Sequence, residues 1–161
     1  MSLSRNIALA AICLLLAACG FQLRTQPNIP AELSRTYIAT SDRYTPFYRT
    51  FRDELEKAGV EVVSSPADAS AVFSILSDVT DQRVLSVSAR NVPREYEVYY
   101  TINYSVENGS QSIVDPQSLT LTRDYTYDET LVLGKAREAE LLRDAIVDDL
   151  VRIILKQLAA L

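Results

Sequence analysis

The chain of 161 residues contains no histidine and no tryptophan, and it has only four glycines, two cysteines and one methionine. Histidine is the commonest general base and the commonest metal ligand, so its absence argues against most hydrolases and zinc sites. The sequence also lacks the G-x-S-x-G, C-x-x-C, phosphate-loop and D-x-D-x-D-G calcium-loop motifs. Catalysis by carboxylates alone stays an alternative, but no spacing of acidic residues favours it. We therefore predict no enzyme, no metal and no cofactor.

Basic residues are outnumbered: 16 Lys and Arg stand against 21 Asp and Glu, which gives a formal net charge of −5. A protein that binds duplex nucleic acid is expected to carry the opposite balance, so nucleic acid is not predicted as a partner. An anionic ligand would have to be bound by a few local cations rather than by the overall field.

No apolar run reaches the ~20 residues that a membrane-spanning helix needs. The N-terminal run, residues 7–16, follows Arg5 and leads into L-A-A-C at positions 16–19, which resembles a bacterial lipobox. Small residues before a cysteine suit a signal peptidase that cleaves at that point. We predict that residues 1–18 are a lipoprotein signal peptide and that Cys19 is the lipid attachment site. A plain secretory signal with a chance cysteine and a short membrane span are the alternatives.

Acylation at Cys19 would determine where the mature protein resides. A diacylglycerol plus an N-acyl group would anchor it firmly, at about 0.8 kcal/mol per buried methylene. Cys13 leaves with the signal peptide, so no disulfide is predicted although the compartment is oxidising. Gly20 follows the cysteine in place of the aspartate that retains enteric lipoproteins in the inner membrane. The prediction is therefore a lipid-anchored outer-membrane protein that faces the periplasm.

Composition and hydrophobic periodicity predict one folded domain after a tether. Residues 19–34 have no periodicity and contain two prolines, which is typical of a linker, and residues 35–161 suffice for a single domain. Helical spacing predicts one helix after Thr45-Pro46 that ends at Gly59, and a second, C-terminal helix of about 25 residues. Strands are predicted at 37–40, 60–63 and 71–88, the last with an irregularity near 78–82, and at 96–106 and 119–127 with a connection longer than two residues. The expected fold class is α+β, a mixed four- to five-stranded sheet with two helices packed on one face.

The two long strands have a polar face and an apolar face. Tyr99 is out of phase with the other tyrosines of these strands and would lie on the polar face, either at a protein interface or as a lone exposed side chain. The inward positions are predicted to be Tyr96, Val98, Tyr100, Ile102, Tyr104 and Val106, followed by Leu119, Leu121, Arg123, Tyr125 and Tyr127.

Four short motifs follow one another along the chain: C-G-F-Q-L-R from Cys19, the segment from Ser41-Asp42 to Arg52, E-Y-E-V from Glu95 and G-K-A-R-E from Gly134. In this order and spacing, they resemble the LptE family of lipopolysaccharide-assembly lipoproteins. The resemblance covers essentially the whole mature chain. It implies a non-enzymatic outer-membrane lipoprotein that binds lipopolysaccharide and plugs the β-barrel of an LptD-like partner during lipopolysaccharide transport.

The plug role that the resemblance implies agrees with the polar face of the long strands. The sheet face of a protein that plugs a polar barrel lumen should be hydrophilic and carry few charges. An ordinary solvent-facing sheet is the other explanation, because threonine has a high β-propensity. The residues concerned are Thr101, Asn103, Ser105, Ser118, Thr120, Thr122 and Thr126.

The resemblance also implies lipopolysaccharide-binding cations at Arg90, before the long strand, and at Lys135, at the start of the last helix. Arg94 and Arg137 are neighbours in sequence and are predicted to join the same patch. Cations in a first helical turn oppose the helix macrodipole, at a cost of about 0.3–1 kcal/mol each. Either an anionic ligand or the nearby Glu138 and Glu140 could compensate that cost.

Two functions therefore compete. The first is a lipopolysaccharide-transport accessory that binds glycolipid and plugs a barrel, and the second is a structural lipoprotein of another envelope assembly without glycolipid affinity. A periplasmic hydrolase that uses only carboxylates is disfavoured by the lack of histidine and of a glycine-rich pocket loop.

Overall fold

The computed structural model describes residues 28–161, which form a five-stranded mixed sheet with two helices. The strands are β1 (Arg35–Ala39), β2 (Glu61–Val63), β3 (Ala71–Val87), β4 (Pro93–Asn108) and β5 (Gln111–Thr126), and the helices are α1 (Pro46–Lys57) and α2 (Val132–Leu158). The sheet order is β2-β1-β3-β4-β5; β1 is parallel to β2 and β3, and the other pairs are antiparallel. The predicted α+β fold is confirmed. The predicted signal peptide, Cys19 and residues 20–27 of the predicted tether lie outside the described residues. The end of that predicted tether belongs to the fold, because Ala31–Leu33 form a 3-10 turn and Leu33 is buried in the core.

Helix α1 begins and ends as its sequence predicts. The Thr45 hydroxyl accepts a hydrogen bond from the Tyr48 amide at 3.1 Å, and Pro46 occupies the first helical position. Gly59 has φ +85°, and the Val60 amide donates to the Leu55 carbonyl at 3.0 Å, which completes a Schellman C-cap. Because glycine adopts positive φ without strain, the chain can turn sharply into β2 at this point.

Helix α2 packs one stripe of side chains against the sheet and α1. Ile146, Leu150 and Ile154 are each 0% exposed at the centre of that stripe. A single 3-10 turn, Glu129–Leu131, connects β5 to the helix. No helix within residues 28–161 is long and apolar enough to cross a membrane.

Aromatic side chains connect α1 to the sheet. Phe51 lies 4.4 Å from Phe73 on β3, and Phe73 lies 5.1 Å from Tyr104 on β4, between ring centroids. The buried Tyr104 hydroxyl donates to Gln157 of α2 and accepts from Gln117 of β5 at 2.6 Å, so its polar atom is satisfied. Burial raises the pKa of Tyr104. These contacts confirm the predicted inward phase of β4.

The connection between β4 and β5 differs from the prediction. A two-residue turn, Gly109-Ser110, joins the strands, with φ +59° at Gly109. The start of β5 was predicted at residue 119 instead of Gln111, because Pro116 interrupts the alternating strand pattern. The structure accommodates this proline on the edge strand, at a bulge where Ser105 lies opposite the step from Val114 to Gln117.

Bulges in β3 also lie at positions other than the predicted 78–82. Register shifts occur between Ile75 and Ser77 and between Val84 and Val87. A bulge reverses which side chains face the core. Beyond the first shift, the cross-strand partners of core residues on β4 become polar: Asp78 pairs with Ile102, Thr80 with Tyr100 and Gln82 with Val98. The helix side of the sheet is therefore apolar at one end and partly polar at the other.

Candidate functional site

The predicted cationic residues lie at the partly polar end of the sheet. Val87 pairs with Pro93 next to the β3–β4 turn, and Glu95 pairs with Thr126 where β5 leads into α2. Both connections therefore meet at this end. We call residues 84–94 together with 127–137 the cationic end.

Arg90 occupies the middle of the β3–β4 turn and is exposed. The turn is closed by a 2.9 Å hydrogen bond from the Asn91 amide to the Ser88 carbonyl, and Asn91 has φ +60°. This is a three-residue hairpin loop with a left-handed last residue, a position that asparagine tolerates. None of the carboxylates that the structure describes lies within salt-bridge distance of Arg90.

Arg94 and Lys135 are brought together around Asp128. The pKa of Asp128 is lowered first by hydrogen bonds from the Thr130 hydroxyl and amide, at 2.7 and 2.9 Å, and further by the positive charges of Lys135 and Arg94. The Arg94 carbonyl accepts from the Tyr127 amide at 2.7 Å, which ties the start of β4 to the end of β5. The two cations therefore act on one locality of the cationic end.

Intrahelical carboxylates compensate the two cations at the start of α2. Lys135 Nζ lies 2.7 Å from Glu138 Oε2, and an Arg137 nitrogen lies 2.5 Å from Glu140 Oε2. Glu138 and Glu140 are therefore placed to offset the cost of cations at this position, although such partly exposed pairs contribute only ~0–1 kcal/mol. The two residues differ in burial: the Lys135 side chain is 19% exposed and that of Arg137 is 63% exposed.

Lys135 lines a cleft of ≈ 230 Å³ between the first half of α2 and the sheet. Small side chains on the helix leave this space open. The cleft is lined by Gln82, Tyr125, Tyr127, Val132, Lys135, Ala136, Ala139 and Arg143. Arg90, Arg94 and Arg137 do not line it, so the four predicted cations share an end of the sheet but not one pocket.

Arg143 is a site residue that the sequence reasoning missed. It lies two helical turns after Lys135, on the same stripe as Ala139, and is half-buried. Its positive charge counteracts the increase in the Tyr125 pKa that burial and Tyr96 cause. A detectable signal was present: the buried residues of α2 from Ala139 to Ile154 are all apolar, and Arg143 interrupts their stripe.

Exposed apolar side chains surround the cations. Leu133, in the first turn of α2, is 88% exposed. Scattered apolar residues are normal on a surface, whereas a group of them at one end suggests a contact site. The group consists of Val84, Leu85, Val87, Leu131, Val132 and Leu133.

The sheet face opposite the helices is hydrophilic. The Thr101 and Thr120 hydroxyls lie 2.8 Å apart on adjacent strands, and the Asn103 amide donates to the Ser77 hydroxyl at 2.5 Å. Tyr99 lies on this face, as its phase predicts, with the Arg83 guanidinium 5.9 Å from its ring centroid. Its role at an interface stays a prediction.

Comparison with known proteins agrees with this architecture. The family model described as LptE: Lipopolysaccharide-assembly matches residues 33–158. An LPS-assembly lipoprotein LptE from Yersinia enterocolitica is 27% identical over 146 residues, which cover 90% of this chain and 70% of the relative. The protein of the same name from Pectobacterium atrosepticum is 24% identical over 154 residues, covering 95% and 83%.

Two solved structures have the same fold. The rare lipoprotein B from Shewanella oneidensis superposes with a TM-score of 0.69 at 26% identity, covering 78% of this chain and 94% of that one. Lipoprotein B from Nitrosomonas europaea gives a TM-score of 0.72 at 26% identity, covering 88% and 91%. Fold and sequence together define a protein of lipopolysaccharide assembly. The chain belongs to the LptE family.

Proposed function

We propose that this lipoprotein binds lipopolysaccharide at the cationic end and plugs the barrel of an LptD-like partner, anchored to the outer membrane through Cys19. The main support for lipopolysaccharide binding is that cations and exposed apolar side chains occur together at one end of the sheet. Arg90 and Arg94 make no salt bridge with the carboxylates described in residues 28–161, and Leu131, Val132 and Leu133 are exposed nearby in sequence to Lys135.

An acylated and phosphorylated sugar matches both properties. Phosphate oxygens accept charge-assisted hydrogen bonds from arginine and lysine, and acyl chains favour apolar surface removed from water. A free sugar phosphate would use the cations and leave the leucines exposed. The exposed leucines therefore favour an amphiphile over a soluble anion.

The hydrophilic sheet face supports the plug role. Its threonine and asparagine side chains hydrogen-bond across strands, as Thr101 does with Thr120. Arg83 and Glu97 form a salt bridge on this face, with 2.5 Å between a guanidinium nitrogen and the carboxylate oxygen. In the part of this face around Thr101 and Thr120, the side chains are uncharged and can pack in a polar barrel lumen without burying a charge.

The first prediction concerns the apolar side chains. We expect Leu133→Gln to weaken capture of acylated lipopolysaccharide several-fold, about 1 kcal/mol, while capture of the deacylated saccharide stays unchanged. Leu133 is 88% exposed, so the substitution should leave the unfolding temperature unchanged. Leu161→Gln, at an exposed site at the other end of α2, is the matched control. Equal losses for the two glycolipid forms would contradict acyl-chain contact at Leu133.

The second prediction concerns the anchor. Cys19→Ser should abolish acylation and leave a soluble or unprocessed precursor, because serine offers no thiolate for lipid transfer. Metabolic labelling with a radioactive fatty acid and membrane fractionation would measure both effects. Recovery of the wild-type protein entirely in the inner membrane would contradict the proposed localisation.

The third prediction concerns the partner. A photoreactive amino acid at Thr120 should crosslink to a β-barrel protein in outer membranes, because this exposed residue lies on the hydrophilic sheet face. Mass spectrometry would identify the crosslinked barrel. Absence of a crosslink from both Thr120 and the adjacent exposed Thr122 would contradict a plug that packs through this face.

The alternative is a structural lipoprotein of another envelope assembly without glycolipid affinity. Purification of the acylated protein from detergent-solubilised outer membranes separates the two functions. A barrel partner together with bound lipopolysaccharide supports the proposal, and partners without glycolipid favour the alternative.

A further inference from the structure

The cleft between α2 and the sheet holds a cation without a protein partner. With the side chains that the structure describes, the Arg143 guanidinium makes neither a salt bridge nor a hydrogen bond, although Arg143 is half-buried on the sheet-facing stripe of α2. Arginine is almost never fully buried without a partner, but Arg143 is only half-buried, so water can solvate its guanidinium. An anion that enters the cleft can replace that water and accept charge-assisted hydrogen bonds from the guanidinium.

The other polar groups of the cleft also present donors. The Tyr125 hydroxyl donates to Gln82 Oε1 at 3.2 Å, which orients the Gln82 amide so that its N–H₂ group is available. Lys135 supplies a second cation, partly neutralised by Glu138 at 2.7 Å. The charges of Lys135, Arg143 and Glu138 sum to about +1, and those of the nearby Arg94 and Asp128 cancel.

The size of the cleft limits what it can hold. A volume of ≈ 230 Å³ is several times the ~30 Å³ share of one water but lies below the ~300–1,000 Å³ of sites for drug-sized ligands. It fits one tetrahedral headgroup rather than a whole glycolipid. Val132, which lines the cleft and is exposed, continues into the apolar group of the cationic end.

We propose that this cleft is a phosphate-binding subsite, in which Arg143, Lys135 and Gln82 bind a phosphate group of a phosphorylated glycolipid. The identity of the glycolipid rests on the proposed function, whereas the preference of the cleft for a phosphate group follows from its own side chains. Arginine is suited to phosphate because its planar fork of N–H donors matches two phosphate oxygens. Arg143 would bind the phosphate directly, together with the Gln82 amide that lines the same cleft.

The test uses the acylated full-length protein in detergent and two probes, inorganic phosphate and lipopolysaccharide with or without its phosphate groups. Inorganic phosphate should shift the NMR signal of the Arg143 Nε–H group and should compete with phosphorylated lipopolysaccharide. The wild type should capture the phosphorylated form at least about tenfold more tightly than the dephosphorylated form. Arg143→Gln should reduce that preference at least about fivefold, whereas Arg143→Lys should keep part of it.

Arg49→Gln is the matched control, because Arg49 is an exposed arginine on α1 without a salt bridge among residues 28–161. An unchanged preference in Arg143→Gln overturns the subsite, as does an equal loss in Arg49→Gln. If Arg90 and Lys135 variants lose capture while Arg143→Gln does not, the subsite is wrong and the proposed function stands. If phosphate shifts Arg143 but the wild type captures no lipopolysaccharide, the subsite stands and the proposed function is wrong.

Discussion

Replacing Arg90 and Lys135 together by serine is expected to weaken capture of lipopolysaccharide at least about tenfold, because each charge-assisted contact to a phosphate contributes about 1.5–3 kcal/mol. Thermal unfolding should hardly change. Arg90 is exposed in a turn, and the salt bridge that Lys135 makes among the described side chains is an i,i+3 pair with Glu138. Losing such a pair costs ~0–1 kcal/mol, and removing a cation from the first turn of α2 relieves its unfavourable interaction with the macrodipole.

The control for this double substitution is Arg43→Ser with Lys57→Ser, which removes the same total charge. Arg43 makes a long hydrogen bond to Tyr37, at 3.4 Å, and Lys57 pairs with Glu54 on α1. Equal weakening by the control pair would mean that the effect is general electrostatics without a local site. Unaltered capture in the Arg90 and Lys135 variant would contradict the glycolipid site, and partner association should persist in both variants.

Truncation of the α2 stripe should have the largest effect on stability. Leu150→Ala or Ile154→Ala is expected to lower the free energy of unfolding by about 2–5 kcal/mol, through lost transfer energy and the cavity left behind. Both side chains are 0% exposed and lie between the sheet and α1. Urea denaturation midpoints would measure the loss.

Asp148→Ala is the control for these variants because Asp148 is exposed on α2. Its free energy of unfolding should change by less than about 0.5 kcal/mol. A larger loss in Asp148→Ala than in Leu150→Ala would show that the buried face of α2 is assigned incorrectly.

Local signals in the sequence were sufficient to predict most elements of the fold. Thr45-Pro46 and Gly59 mark the two ends of α1 in the sequence. An N-cap, a proline at the first helical position and a glycine with positive φ each depend on neighbouring residues alone, so they can be recognised without the tertiary structure. Strict alternation places Tyr100 and Tyr104 in the core because a β-strand has a period of two. The connection Gly109-Ser110 and the bulges of β3 escaped prediction because they depend on cross-strand register, which is a property of two strands together.

The candidate site was predictable only in part. The family resemblance supplied Arg90 and Lys135, and chain order already implies that a hairpin turn and the entry to α2 meet at one end of the sheet. The cleft was not predictable, because it arises from the β3 bulge that turns Gln82 towards α2. Arg143 lies 61 positions from Gln82 in sequence and faces the same cleft only in the folded chain.

Hydrogen–deuterium exchange of the acylated protein, with and without lipopolysaccharide, tests the central claim most directly, because protection reports where the ligand lies. We expect slower exchange in the β3–β4 turn at residues 88–92 and in residues 127–137, where β5 leads into α2. Exchange in α1 and in the Gly109-Ser110 turn should stay unchanged, since both lie outside the cationic end. Protection confined to the Gly109-Ser110 turn, or no protection at saturating lipopolysaccharide, would contradict binding at the cationic end.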